Sequence, residues 1–388
     1  MCTYFLNFSF RPRMKTFIAF FGFLLLFGCS NKTIEKPATG PRIPMDAPGF
    51  VNVRDYGATG KPGTDDTQAF NLAMKAADSL HKAVYIPIGI YEADLVLTAD
   101  NLKIIGEKQP DEMLAGGTVI KGKINCNRKK NITIENLAVD SQGELGPADA
   151  AAVFSGDGAD TLVLNQTFRN LTIIGDGYTS YKHGMLCQVG TGITMRNIIV
   201  VNFYHGIAIR SGNVSVDTVY SLNCGFTAIV VKSADGANRL TENVSLNHIR
   251  IDGNPNDPYS RGGIVLVQSF DPVSVTRNVR VQNVTSKNGG IGCVVVEQRN
   301  GMVDQVLIEN CNSNNQGDIA TRACYDVAGG SNITFRNCAA TNSRGFGFRS
   351  MGDVSNVRVE NSYEHHSGAG SWTGTFRYLQ LNGVEIIK

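Results

Sequence analysis

Nine short phrases of one pattern recur between residues 132 and 362: ITIENL, TFRNLTI, ITMRNIIV, VSVDTV, VSLNHI, VRVQNV, VLIENC, ITFRNC and VRVENS. Each alternates apolar and polar residues at period two. Each is followed about ten residues later by a second apolar run, among them HGMLCQ, HGIAIR, TAIVVK, GIVLVQ, CVVVEQ and FGFRS. One slot of the phrase, usually Asn, falls at Asn136, Asn170, Asn197, Thr218, His248, Asn283, Asn310, Asn337 and Asn361, about 28 residues apart on average. Period-two alternation reads as strand. Propeller blades need roughly 40 residues or more per repeat, and leucine-rich repeats carry a different consensus. A parallel β-helix fits: its coils stack about 4.8 Å apart, so equal positions form ladders along the axis. Asn suits the recurring slot because it tolerates left-handed backbone and its amide can bond its stacked copies.

A stack of coils has an open apolar end that must be covered. Residues 63–83, GTDDTQAFNLAMKAADSLHKA, supply the one convincing helix, with Thr64 or Asp65 as its cap and an apolar face of Ala69, Phe70, Ala73, Met74, Ala77 and Leu80. It is expected to close the N-terminal end, with the strand-like AVYIPIGIYEA following it. Trp372, the single tryptophan, is left with two roles, covering the C-terminal end or stacking on a sugar.

Before this the chain is of another kind. Lys15 precedes an apolar stretch from Phe17 to Phe27 that closes on Gly28-Cys29, which describes an export signal too short to span a membrane. The ending LFGC resembles a bacterial lipobox, implying cleavage before Cys29 and lipidation of that residue, although Phe27 is bulkier than the position usually carries. The expected organisation is a signal over 1–28, a polar, Pro-rich tether over 29–48, an N-terminal cap with first strands over 49–97, and the β-helix over 98–388. The chain is expected to be anchored to a bacterial membrane, on the periplasmic face or the cell surface, as a monomer.

Removing residues 1–28 takes away Arg11, Arg13 and Lys15 and no acid, so the formal charge falls from +2 to −1. Such a balance carries no nucleic-acid footprint. Seven cysteines remain beside Cys2 and Cys29, with no C-x-x-C spacing. An odd count cannot all pair, so buried thiols are expected rather than a disulfide framework. Cys311 and Cys338, one repeat apart in the same slot, are read as stacked thiols, with a disulfide as the alternative.

The stretch FVNVRDYGATGKPGTDDTQAFNLAMKAA (50–77), followed by AVYIPIGIYEA, resembles the N-terminal signature of the pectate lyase superfamily, in the branch grouping rhamnogalacturonases, pectate-lyase-like proteins and alginate epimerases. The resemblance implies an all-β fold: a single-stranded right-handed parallel β-helix with an N-terminal capping α-helix, acting on an acidic polysaccharide or oligosaccharide in a groove along one sheet. Polygalacturonase-type members carry N-T-D-G, then G-D-D-C-I-A-I-K-S-G, then G-H-G, then R-I-K. Here the corresponding stretches read Tyr181-Lys182-His183-Gly184, then Tyr204-His205-Gly206-Ile207-Ala208-Ile209-Arg210-Ser211-Gly212, then Thr227-Ala228-Ile229, then Val265-Leu266-Val267-Gln268. The strand frame survives, while each catalytic Asp is replaced by His, Lys or Tyr. Inverting hydrolysis needs a carboxylic acid and a carboxylate base, and neither stands in its expected place.

The replacements suit a different reaction. The 22-residue steps from Gly184 to Gly206 to Ala228 place His183 and His205 in adjacent coils, with Lys182 and Tyr204 beside them. A second column after the apolar runs holds Gln188, Arg210, Lys232, Gln268, Glu297 and Arg349. β-Elimination at a uronate needs a neutralised carboxylate, a base for the C5 proton and an acid for the leaving oxygen. Arg210 and Lys232 can bind the carboxylate, His183 or His205 can be the base, and Tyr178, Tyr181 or Tyr204 the acid. Tyr178, Tyr181, Gln188, Tyr259, Arg261, Gln268, Glu297 and Arg299 are the expected substrate-binding set, with Asp318, Arg322 and Asp326 as distant subsites. No cofactor is expected. Asp157, Asp160 and Asp176 form an alternative set of oxygen ligands for Ca²⁺, without the repeated D-x-D spacing such sites favour. Each of these residues also has a purely structural reading, as a turn histidine or a solvated strand end. The leading functional reading is a polysaccharide lyase. The alternatives are a uronate C5 epimerase, a glycoside hydrolase using carboxylates such as Asp176 or Asp326, and a noncatalytic glycan-binding lipoprotein.

Overall fold

The computed structural model describes residues 49–146, 150–156, 163–177, 181–233, 240–253, 264–289, 292–314 and 323–387. The lipidation candidate Cys29 and the tether, together with Tyr178, Tyr259, Arg261, Asp157, Asp160, Asp318 and Arg322, lie outside the described residues.

The described chain is a right-handed parallel β-helix closed by a helix. Its strands pair in parallel with the coil before and the coil after, and the recurring phrases lie in register. One inward column runs Ile134, Phe168, Met195, Val216, Leu246, Val281, Ile308, Phe335 and Val359. Every member is buried, because the pleat points alternate residues to one side, where they meet their copies. Each such side chain contributes roughly 1.5–3 kcal/mol by leaving water.

The Asn slot behaves as its chemistry requires. All nine slot residues, including Thr218 and His248, have φ between 47° and 61°. Asn170 Nδ2 donates to Asn136 Oδ1 at 2.7 Å, and Asn197 Nδ2 to Asn170 Oδ1 at 2.7 Å. His248, standing in for Asn, turns its ring to Asp217 Oδ1 at 2.8 Å. A second ladder, which the phrases do not reveal, links Asn131 to Asn101 and Asn165 to Asn131, and further along Asn243 to Asn213 and Asn278 to Asn243. Because bends with φ > 0 occur inside ladders, the short runs merge. Strand His205–Leu222 passes Arg210 without ending and bends at Asn213 and Thr218.

The capping helix spans Thr67–Leu80 and buries Ala69, Phe70, Ala73, Met74 and Ala77. Phe70 meets Tyr91 edge-on, ring centroids 5.6 Å apart. The helix starts after Asp66, whose carboxylate turns back to accept from Thr59 N at 2.8 Å, while Asp65 Oδ1 accepts from Thr67 N, the first N–H of the helix, at 2.9 Å, the capping bond expected of Asp65. One expectation changes here. Leu80 is 56% exposed, because the chain turns away at His81 with φ 51°. At the other end Trp372 packs on the core and meets Phe376 edge-on at 6.0 Å. The last hairpin, Tyr378–Leu381 with Val384–Ile387, pairs antiparallel. The seven described cysteines are buried free thiols.

Candidate active site

Parallel register brings the second apolar runs together as one sheet. Its pairing sets His183 opposite His205 and His205 opposite Thr227. The two imidazoles stack with centroids 4.9 Å apart and planes 10° from parallel, which is the coil rise expressed in side chains. His205 Nδ1 shares a hydrogen bond of 2.6 Å with Thr227 Oγ1. Tyr204 lies edge-on to His205 at 4.7 Å, stacks on Phe226 at 5.3 Å and is met by the exposed Tyr181 ring at 4.5 Å. Neither Gly184 nor Gly206 sits at a free turn. A Cβ at Gly206 would lie 2.5 Å from the Ala228 carbonyl oxygen, and one at Gly184 2.7 Å from that of Gly206, so glycine is needed for coil-to-coil approach.

Gln188 pairs with Arg210, Lys232 with Gln268, and Gln268 with Glu297. Arg210 Nη1 donates to Gln188 Oε1 at 3.2 Å, and Gln268 Nε2 to Glu297 Oε2 at 3.0 Å. Arg299 binds Glu297 Oε1 at 3.0 Å and lies over the Phe270 ring at 4.8 Å. Between the two polar columns runs an apolar one, Leu186, Ala208, Val230, Leu266 and Val295, packed as a cluster separate from the coil interior.

The electrostatics follow from this packing. Burial first, then the charges of Arg210, Lys232 and Lys182, push the pKa of His183 down to about 3. Burial, then His183, Lys232 and Arg210, push His205 down to about 2. Both rings are therefore neutral at physiological pH and face two fixed cations. The arrangement can bind an anion at Arg210 and Lys232 and offer it an uncharged base. A cavity of about 370 Å³ opens among Asn127, Ala150, Phe154, His183, Leu186, Gln188 and Arg210.

One expected placement changes. Arg349 does not continue the Gln188 column: it pairs with Asp326, which pairs with Val295, so it occupies the apolar column two residues earlier. There Asp326 is fully buried and Arg349 Nε donates to Asp326 Oδ1 at 2.7 Å, with a second bond from Nη2 to Oδ2. Lys182 donates to the carbonyl of Gly146 at 2.5 Å, so it is held to the wall beside His183. Asp176 is exposed in the turn after strand Val163–Ile174. Among the described residues no three His, Cys, Asp or Glu side chains come close enough to hold a metal ion. Thr227, Phe226, Asn127 and Phe154 were not foreseen. The same 22-residue step that aligns His183 with His205 reaches Thr227 and Phe226 when taken once more.

The family model described as rhamnogalacturonase A/epimerase, pectate lyase-like, matches residues 50–366. In fold the chain is similar to two mannuronan C-5 epimerase A-modules of Azotobacter vinelandii. One is 14% identical with a TM-score of 0.51, covering 86% of this chain and 98% of that one. The other is 15% identical with a TM-score of 0.55, covering 84% and 98%. The catalytic unit of a thermostable α-1,3-glucanase from Streptomyces thermodiastaticus is 16% identical with a TM-score of 0.53, covering 87% of this chain and 67% of that one. At such identities the likeness is one of fold, the coil architecture of carbohydrate-active enzymes. No curated protein matches the chain in sequence.

Proposed function

Because the chain belongs to the rhamnogalacturonase A/epimerase, pectate lyase-like family, we propose that it is a carbohydrate-active enzyme that removes the C5 proton of a uronate in an acidic polysaccharide or oligosaccharide, as a lyase. The observation that carries this reading is the stacked pair of neutral histidines, His183 and His205, beside Arg210 and Lys232. Arg210 and Lys232 bind the uronate carboxylate and stabilise the negative charge that develops on it as the C5 proton leaves. A histidine takes that proton. The C4–O4 bond breaks, a double bond forms between C4 and C5, and the leaving oxygen receives a proton from Tyr204, whose ring lies against His205. An empty base of such low pKa is weak, but the arriving carboxylate offsets the cationic part of the depression and raises it where transfer is efficient. Hydrolysis is less well supported: Asp326, one of its candidate carboxylates, is buried and held by Arg349.

A second reading shares the first step. Re-protonation of C5 from the opposite face gives a C5 epimerase, and the likeness covering 98% of two mannuronan C-5 epimerase modules favours keeping it. Incubation with pectins, alginate and glycosaminoglycans in D₂O separates the outcomes. A lyase yields the unsaturated-uronate absorbance, and an epimerase yields deuterium at C5 without it. New reducing ends with neither signal would overturn both. Anchorage at Cys29 in the bacterial envelope is part of the same proposal, and palmitate labelling should disappear in Cys29→Ser.

A further inference from the structure

The outward column that holds Gln188, Arg210 and Lys232 starts earlier than Gln188. Cys126 pairs with Ser155, and Ser155 with Cys187, so the next residues, Asn127, Gly156 and Gln188, share one column. Gly156 has no side chain and sits at φ 84°. The column therefore has a gap of two coil rises, roughly 9.6 Å, and the 370 Å³ cavity occupies it.

Two of the residues that line this space, Asn127 and His183, each carry a polar atom without a hydrogen-bond partner among the described residues. Asn127 Oδ1 and His183 Nδ1 are both buried and unsatisfied. Leaving such an atom unmatched costs about 1–3 kcal/mol, so each is normally met by a ligand or water. Phe154, in register with Leu186 and only half-buried, adds an aromatic wall. Aromatic walls with a few convergent polar groups, in a volume of about 300–1,000 Å³, are the make-up of a small-ligand site.

We propose that Asn127 and Phe154 form a second sugar subsite, which holds the pyranose residue joined to the uronate at Arg210. Asn127 Oδ1 accepts from a ring hydroxyl, and Phe154 packs on the C–H face of the ring. Gln188, bonded to Arg210, stands between the two subsites. The subsite selects for chain length and for a hydroxyl pattern, whereas Arg210 selects for the carboxylate; it rests on the uronate reading of Arg210 given above.

Calorimetric titration of the intact chain tests it, with galacturonate, digalacturonate, mannuronate, dimannuronate and the carboxyl-reduced disaccharides as probes. At least one disaccharide should bind about tenfold tighter than its monosaccharide. Asn127→Ala and Phe154→Ala should remove most of that gain and leave monosaccharide affinity unchanged, while Asn127→Asp and Phe154→Tyr, which keep the acceptor and the ring, should retain it. Arg210→Gln should weaken both lengths alike. A length gain that survives both alanine variants, no gain in the parent chain, or no binding of any probe overturns the subsite. Carboxyl-reduced disaccharides that bind as tightly as the acidic ones, with Asn127 still required and Arg210→Gln silent, would leave the subsite standing and overturn the uronate reading instead.

Discussion

Two imidazoles stacked 4.9 Å apart, His183 buried and His205 partly so, cannot both accept a proton without placing like charges face to face beside Arg210 and Lys232. The fold thus holds its candidate bases neutral, and only a ligand anion relieves part of the depression. This has a kinetic signature. In the free enzyme neither histidine titrates near the ordinary value of 6.5, since His183 lies at about 3 and His205 at about 2. The acid limb of kcat/KM, which reports the free enzyme, should therefore be absent near pH 6.5, and the limb of kcat should lie at higher pH because the bound carboxylate raises the base. Initial rates across pH on the active polyuronate check both. Coincident limbs near 6.5 would mean that an exposed group acts as base in place of this pair.

At the scale of the strand and its bends, the Asn ladder is the device that lets a straight parallel pairing turn a corner. Asn170, at φ 53°, joins Asn136 and Asn197 through two amide bonds of 2.7 Å each. Asn170→Ala should destabilise by about 3–4 kcal/mol, from left-handed backbone at about 1–2 and two lost hydrogen bonds at about 1 each. Asn170→Gly restores the backbone freedom but not the bonds, so it should cost about half as much in urea-midpoint measurements. Equal losses would assign the whole effect to the amides. This device was legible in the sequence because the slot repeats by residue type; even Thr218 and His248 were placed by spacing alone. The columns of the second sheet were legible where the coil length is constant, as from His183 to His205. They failed at Arg349, because counting from the end of an apolar run assumes that the run ends at the same height in every coil. Asp326 and Arg349 break that assumption by placing a mutually satisfied ion pair where the coils from Leu186 to Val295 put Leu, Val or Ala. Asn127 was invisible for the converse reason: its link to the column passes through Gly156, which leaves no side chain to align.

For the molecule as a whole, the same buried pair ties stability to pH. The folded pKa values of His183 and His205 lie below their unfolded value of 6.5, so between those limits the unfolded chain binds more protons than the folded one. Stability is then fully present above pH 6.5 and is lost as pH falls towards the folded values, by at most about 1.4 kcal/mol per pH unit for each histidine. Glu135 adds to the loss further down. Burial would raise its carboxyl, but the bonds from Arg169 and Lys103 outweigh this and hold it below 4.5, so its share also disappears in acid. Between pH 6.5 and 4.5 the loss is set by the lowered values of His183 and His205. Urea midpoints measured across that window should fall steeply in the parent chain, and His183→Gln should flatten the fall by up to half while lowering stability at pH 7 far less. An unchanged slope would show that His183 is protonated in the folded state and would remove the neutral-base argument with it. If the slope flattens as expected, acid inactivation of the free enzyme in this window, where its histidines do not titrate, is unfolding, and activity lost on standing at pH 5 without substrate should depend on temperature and return on refolding at pH 7.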